Sequence, residues 1–113
     1  MDVKYFKSQI VDELEGALNY IRKAIEMRLS YPAWSKMFAQ MSEAEVDHSS
    51  KLYDMFEEYC RHVTEKNGGD TPSYLRSVHH ELMDEYSEMM TKIHRLHEMY
   101  KDKQKEHSSE QSK

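Results

Sequence analysis

The sequence predicts an all-α protein, an antiparallel helical hairpin followed by a third helix, and three observations support this fold class. The 113 residues include only three glycines and two prolines, and four of these five lie at Pro32 and within residues 67–72. Between these breaks, apolar residues recur at three- and four-residue steps, which is the period of an amphipathic helix. A chain of this length has room for one domain and too little for two independent cores.

The three predicted helices are bounded by these breaks. Helix α1 is predicted over residues 2–29, α2 over residues 33–66 and α3 over residues 73–104. Pro32 and Pro72 lie near first-turn positions, where the missing N–H of proline costs nothing. We expect residues 1–104 to form a single domain and the polar residues 105–113 to form a mobile tail.

Each predicted helix carries an apolar stripe that should face the core. The stripe of α1 consists of Val3, Phe6, Ile10, Leu14, Ala17, Leu18, Ile21 and Ile25. The stripe of α2 consists of Trp34, Met37, Phe38, Met41, Leu52, Met55, Phe56, Tyr59 and Val63. The stripe of α3 consists of Leu75, Val78, Leu82, Tyr86, Met89, Ile93, Leu96 and Tyr100.

Composition excludes several classes of function. The net charge is −5 with both signs interspersed, so no basic face is available for nucleic acid. The single cysteine, Cys60, cannot form a disulfide within the chain, which favours a reducing, cytoplasmic location. No Cys-x-x-Cys or Cys-x-x-Cys-His motif is present for a rubredoxin-type iron site or for haem attachment, and no apolar run is long enough for a membrane span. The short supply of Leu, Ile, Val and Phe predicts further burial by association with other copies.

The stripe of α2 is interrupted between Met41 and Leu52, where Glu45 and His48 project within about 40° of its centre at about 100° per residue. Burying an ionised carboxylate is costly unless a partner compensates for it. In one interpretation the two residues pair with each other or with a basic residue across the bundle, or this face is more exposed than the pattern implies. In the other, Glu-x-x-His directs a carboxylate oxygen and an imidazole nitrogen at one metal ion.

Helix α1 offers residues that would complete such a metal site. Glu13 lies on the shoulder of its stripe, Tyr20 lies two turns further along the same shoulder, and Gly16 and Ala17 leave space between them. Counted from Pro32, the heights of Glu13 and Glu45 differ by about 9 Å at 1.5 Å per residue, a difference that the loop and the helix offset must absorb.

The motif Glu13-x6-Tyr20 followed by Glu45-x-x-His48 resembles the half-motif of the ferritin-like superfamily. The stretches DELEGALNY and SEAEVDHSSKL are particularly similar to the encapsulated ferritins, and the resemblance covers about residues 9–60. It implies that Glu13, Glu45 and His48 are iron ligands and that Tyr20 lies close to the di-iron centre.

The resemblance has two further implications. Asp12 and Glu15 fall where the encapsulated ferritins carry acidic residues at the point where metal enters. The resemblance also implies an encapsulin-type shell as a partner. Such a shell would enclose the protein in a nanocompartment within the cytoplasm.

A complete di-metal site of this type takes a Glu from each of two helices and a Glu-x-x-His from each of two others. This chain has one of each, since α3 contains no second Glu-x-x-His. We therefore expect a homodimer or a larger homo-oligomer, with a site for two iron ions per dimer at the subunit interface and α3 outside it. The expected activity is that of a ferroxidase, which oxidises Fe(II) to Fe(III) with O2 or peroxide in iron storage or detoxification.

Two alternatives stay open at this point. One is a di-iron peroxidase of rubrerythrin type, although no rubredoxin domain is present to supply electrons. The other is a metal-free helical adaptor, in which Glu45 and His48 would set the specificity of pairing.

Overall fold

The computed structural model describes the backbone of residues 2–111 and the side chains of residues 2–106. The described chain forms three α-helices and contains no strand, which confirms the predicted all-α class. Helix α1 covers Val3–Met27, α2 covers Pro32–Lys66 and α3 covers Ser73–Gln111. None of these helices is long and apolar enough to cross a membrane.

The helix ends follow local chemistry. Asp2 caps α1 by accepting a hydrogen bond from the Lys4 backbone N–H at 3.0 Å, and Pro32 occupies the first turn of α2. After α2 the chain reverses through Gly68 and Gly69 at φ +67° and +92°, a conformation that side chains with a Cβ rarely adopt.

The predicted end of α3 near residue 104 is wrong, because the helix continues through Gln111. No glycine or proline interrupts residues 73–111, and the charged residues at their end are adequate helix formers. Of the predicted tail over residues 105–113, the last two residues lie outside the described residues.

Helix α1 lies at the centre of the molecule and packs along both α2 and α3. The stripes predicted for α1 and α3 supply most of the core, which confirms those two predictions. The α2 and α3 backbones lie farther apart and are bridged by long side chains. Tyr53 stacks on Tyr86 with ring centroids 4.4 Å apart, and Glu57 pairs with His79 at 2.6 Å.

Buried residues spaced by seven line the contact between α1 and α2, and the small ones among them let the two helices approach closely toward the hairpin turn. On α1 these positions are the buried residues Val3, Ile10, Ala17 and Ala24. On α2 they are the buried residues Phe56, Ser49, Ser42 and Ser35, in the order that an antiparallel hairpin requires. We call this contact the seam. Two hydrogen bonds fix its register, since the Ser42 hydroxyl donates to the Ala17 carbonyl at 2.7 Å and the Ser35 hydroxyl donates to the Ala24 carbonyl.

The predicted core stripe of α2 is confirmed only in part, since Phe56 is buried and four further members pack against the core, namely Phe38, Leu52, Tyr59 and Val63, while the remaining four are exposed. The face that α2 buries along the seam is rotated by roughly a quarter turn from that stripe, at about 100° per residue. Trp34, which the stripe would place in the core, is 54% exposed, and Met37 and Met55 are 59% and 53% exposed. We call the exposed apolar residues Trp34, Met37, Met41 and Met55 the outer stripe.

The molecule is a rod of 66 × 18 × 16 Å with a radius of gyration of 18.2 Å. A compact domain of this length would have a radius of gyration of about 13 Å. The elongated shape follows from three long helices aligned side by side, with α1 packed closely along both of the others.

Candidate metal centre

The structure brings Glu13, Glu45 and His48 together, as the sequence predicts. One ligand atom from each side chain lies within 4.8 Å of those of the other two. His48 Nδ1 is 3.7 Å from Glu13 Oε2, beyond hydrogen-bonding distance. This is the one group of three or more histidine, cysteine or acidic side chains within residues 2–106 that meets this criterion.

The register of the seam removes the predicted height difference between Glu13 and Glu45. The bonds from Ser42 to Ala17 and from Ser35 to Ala24 centre the hairpin between residues 29 and 30 instead of at Pro32. The two glutamates then differ in height by one residue, about 1.5 Å, and not by about 9 Å. The predicted mismatch was wrong because it placed the centre of the turn two to three residues too late.

Gly16 makes room for Glu45 between the two helices. A Cβ built on Gly16 would lie 3.6 Å from Cδ and 3.7 Å from Oε2 of Glu45, so the carboxylate rests on the bare backbone of α1. An alanine would make ordinary van der Waals contact here, whereas a larger side chain would occupy the space that Glu45 uses. The glycine thus keeps the carboxylate beside Glu13.

The polar groups of the cluster are satisfied to different degrees. Glu13 Oε2 is buried and has no hydrogen-bond partner. The Glu13 side chain as a whole is 27% exposed, while that of His48 is 57% exposed. A buried carboxylate oxygen without a donor is unfavourable unless a cation or proton compensates for it. The cluster is therefore closed on its α1 side and open to solvent at His48.

The open side of the cluster lies within the outer stripe. At about 100° per residue, Glu45 and His48 lie on the same face of α2 as Met41 and Met55. Trp34 and Met37 continue this face toward the hairpin turn, where Trp34 stacks on Tyr31 at 4.7 Å. The candidate ligands thus occupy a polar gap in an exposed apolar surface.

The other predicted site residues lie near the cluster without belonging to it. The partly buried ring of Tyr20 stacks on Phe38 with centroids 6.0 Å apart, and its Cα is about 10 Å along α1 from that of Glu13 at 1.5 Å per residue. Asp12 lies on the side of α1 that faces α3, where it lines a cavity together with Lys7 and Glu81. Glu15 is exposed. The roles predicted for Tyr20, Asp12 and Glu15 therefore stay predictions.

A buried contact between Ser42 and His97 lies beside the cluster, and the hydropathy pattern of the sequence did not predict it. Ser42 is fully buried, and its Oγ lies 2.9 Å from Nε2 of His97, which is 9% exposed. Burial lowers the pKa of His97, so that the neutral ring is favoured. The recurrence of serine at positions 35, 42 and 49 is the sequence signal that could have identified this buried polar face.

A second polar group lies near the far end of α2. Burial raises the pKa of Tyr53 to about 12 and the pKa of Cys60 to about 11, and the negative charge of Glu57 adds to both shifts. Both side chains are therefore protonated at neutral pH.

Comparisons with family models, curated proteins and solved structures give no match for this chain. The geometry and chemistry of the cluster therefore carry the functional argument.

Proposed function

We propose that this chain is a ferroxidase of the ferritin-like type and that two copies share a di-iron site built from Glu13, Glu45 and His48 of each. The convergence of two carboxylates and an imidazole on one point, within 4.8 Å of one another, carries this proposal. Oxygen and imidazole ligands together suit iron in a helical bundle.

The state of Glu13 supports a cation at this point. Its buried Oε2 has no hydrogen-bond partner, and a bound cation would offset the cost of burying it. Glu45, which rests on Gly16, is held at the same height on the opposite helix. His48 can offer a ring nitrogen to the same ion, and its exposure leaves this side accessible to Fe(II) arriving from solvent.

The surroundings of the cluster support a second copy as the missing half. Three ligand atoms do not complete the coordination of Fe(II), and the open side lies in the outer stripe, a surface of Trp34, Met37, Met41 and Met55. Exposed apolar surfaces with a polar surround are typical of interaction sites. In a two-fold dimer, four carboxylates would balance the charge of two divalent ions, and two neutral imidazoles would complete the donor set.

In the proposed reaction Fe(II) is the substrate. Each of two Fe(II) ions loses one electron, and O2 takes up both electrons with two protons to give hydrogen peroxide and two Fe(III). The chain contributes ligands that hold two ions close together, so that one O2 molecule can receive both electrons. Neutralisation by Glu13 and Glu45 favours the additional positive charge of the ferric products.

An anaerobic Fe(II) titration of the metal-free protein, followed by O2, tests the proposal. We expect saturation near one iron per chain, doubling of the molecular mass and a rise in near-UV ferric absorbance. Trp34 is the single tryptophan, so its emission should shift to the blue as the outer stripe becomes covered. Glu45→Gln should abolish binding and oxidation, whereas Glu58→Gln, which changes an exposed glutamate of the same helix, should have no effect.

Other outcomes would overturn the proposal in different ways. A monomer that binds iron at full stoichiometry would exclude the shared site. Faster turnover with hydrogen peroxide than with O2 would favour a rubrerythrin-like peroxidase. A dimer that forms without metal and binds no iron would favour the helical adaptor.

A further inference from the structure

A chain of buried hydrogen bonds connects all three helices at one level. His97 of α3 contacts Ser42 of α2 at 2.9 Å, and Ser42 contacts the Ala17 carbonyl of α1 at 2.7 Å. Ser42 and Ala17 are fully buried and His97 is nearly so. These two hydrogen bonds join α3 to the seam between α1 and α2.

The chemistry of the three groups fixes the direction of both bonds. A carbonyl oxygen can only accept, so the Ser42 hydroxyl donates to Ala17. A serine hydroxyl has only one hydrogen, and that hydrogen is donated to Ala17. His97 must therefore donate its Nε2–H to Ser42 Oγ. A buried serine can otherwise turn its hydroxyl toward a carbonyl of its own helix. His97 opposes this rotation, because it holds the lone pair of Ser42 Oγ toward α3.

This connection lies one helical turn from the candidate metal centre. Ser42 is three residues before Glu45, and Ala17 follows Gly16, on whose backbone Glu45 rests. On the other side of the centre, Ser49 lies in the seam but donates to the Val46 carbonyl of its own helix. Ser42 therefore provides the cross-helix hydrogen bond closest to the cluster, and it fixes the spacing of α1 and α2 where Glu45 must fit.

We propose that His97 is a positioning residue for the metal centre. Acting through Ser42, it sets the separation of α1 and α2 at the height of Glu13 and Glu45, so that the metal affinity of the half-site depends on α3. This inference rests on the proposed function. It assigns to α3 a part in metal binding, although α3 supplies no ligand.

Titration of the protein with Co(II), followed through its d–d absorption, tests this role without any turnover. His97→Leu and Ser42→Ala should weaken Co(II) binding by about tenfold, the lower end of the effect of changing groups that orient metal ligands. They should also alter the absorption envelope, since the relative position of the two carboxylates changes. His97→Gln should restore most of the affinity, because its side-chain N–H lies as many bonds from Cα as Nε2 of histidine does.

Ser35→Ala is the matched control. Ser35 donates to a carbonyl of α1 as Ser42 does, but it lies two turns further from the ligands and has no histidine partner in the described structure. It should leave Co(II) affinity unchanged. All variants are to be compared at equal helical content by circular dichroism.

The possible outcomes separate this inference from the function on which it rests. If the wild type binds no Co(II), both are overturned. If the wild type binds and His97→Leu binds equally well, or Ser35→Ala weakens binding as much as Ser42→Ala, His97 has no specific positioning role and the metal centre stands without it.

Discussion

The three buried serines of α2 should differ sharply when each is replaced by alanine, although the chemical change is the same. Each replacement gains about 0.5 kcal/mol of helix propensity. Ser49→Ala removes only a bond within α2, so we expect little change or a slight stabilisation. Ser35→Ala removes a bond between helices that contributes about 1 kcal/mol, which leaves a net loss of about 0.5 kcal/mol.

Ser42→Ala should cost considerably more. It removes the bond to Ala17 and also leaves the buried Nε2–H of His97 without an acceptor, which costs a further 1–3 kcal/mol or about 2 on average. The expected net loss is therefore about 2.5 kcal/mol, combining this cost with about 1 kcal/mol for the bond and the gain in propensity. All three variants lose the same oxygen atom and gain the same helix propensity. Differences between their free energies of unfolding therefore report the contributions of the hydrogen bonds alone.

Urea unfolding of the metal-free proteins at pH 7.5 and one protein concentration, followed by circular dichroism, gives these free energies. The double variant Ser42→Ala, His97→Leu tests whether the unpaired Nε2–H of His97 causes the larger loss. Because this variant lacks that donor, its loss of unfolding free energy should be smaller than the sum of the two single losses by at least about 1 kcal/mol. Equal losses for Ser35→Ala and Ser42→Ala, or strict additivity in the double variant, would refute this account of the buried hydrogen bonds.

Two further predictions concern titrating groups. Burial lowers the pKa of His97 from its ordinary value of 6.5, so the unfolded chain takes up this proton first and the folded protein should lose stability as the pH falls below 6.5. Wild type should lose more unfolding free energy than His97→Gln between pH 7.5 and 5.5, and equal losses would contradict the assignment. Burial raises the pKa of Cys60 from 9.0 to about 11, so at pH 8 its thiolate fraction should be roughly 100-fold lower than in the unfolded chain. A disulfide reagent should therefore react far more slowly with the folded protein than in urea, and similar rates would show an accessible thiolate.

Local signals were sufficient to predict the three helices and the side chains that meet in the carboxylate and histidine cluster. Proline and glycine mark both connections, and the observed helices begin within one residue of their predicted starts. Glu13, Glu45 and His48 could be identified because acidic and histidine side chains at helical spacing on an apolar surface need an explanation. The ferritin-like assignment, the ferroxidase activity and the encapsulin-type shell stay predictions.

Hydropathy predicted the buried face of α2 only in part. Hydropathy assigns Trp34 and Met37 to the core and Ser35 and Ser42 to the surface, whereas the structure does the reverse. Two physical reasons favour the observed arrangement. Small side chains let the helices approach closely, and a serine that donates to a carbonyl across the seam satisfies its own polarity. Neither effect is visible until the partner helix and its register are known.

If two copies share the candidate metal centre as proposed, its position along the rod determines the outline of the dimer. The bond between Ser42 and His97 places residue 94 of α3 across from Glu45, close to the midpoint of a helix that spans Ser73–Gln111. A two-fold axis through the centre, with the two rods packed side by side as in a four-helix bundle, would align them over their whole length. In solution scattering, such a dimer would keep a longest dimension close to the 66 Å of the single chain while its cross-section doubled. Dimers joined at their ends would instead show nearly twice that length, so the scattering profile alone would distinguish the two assemblies.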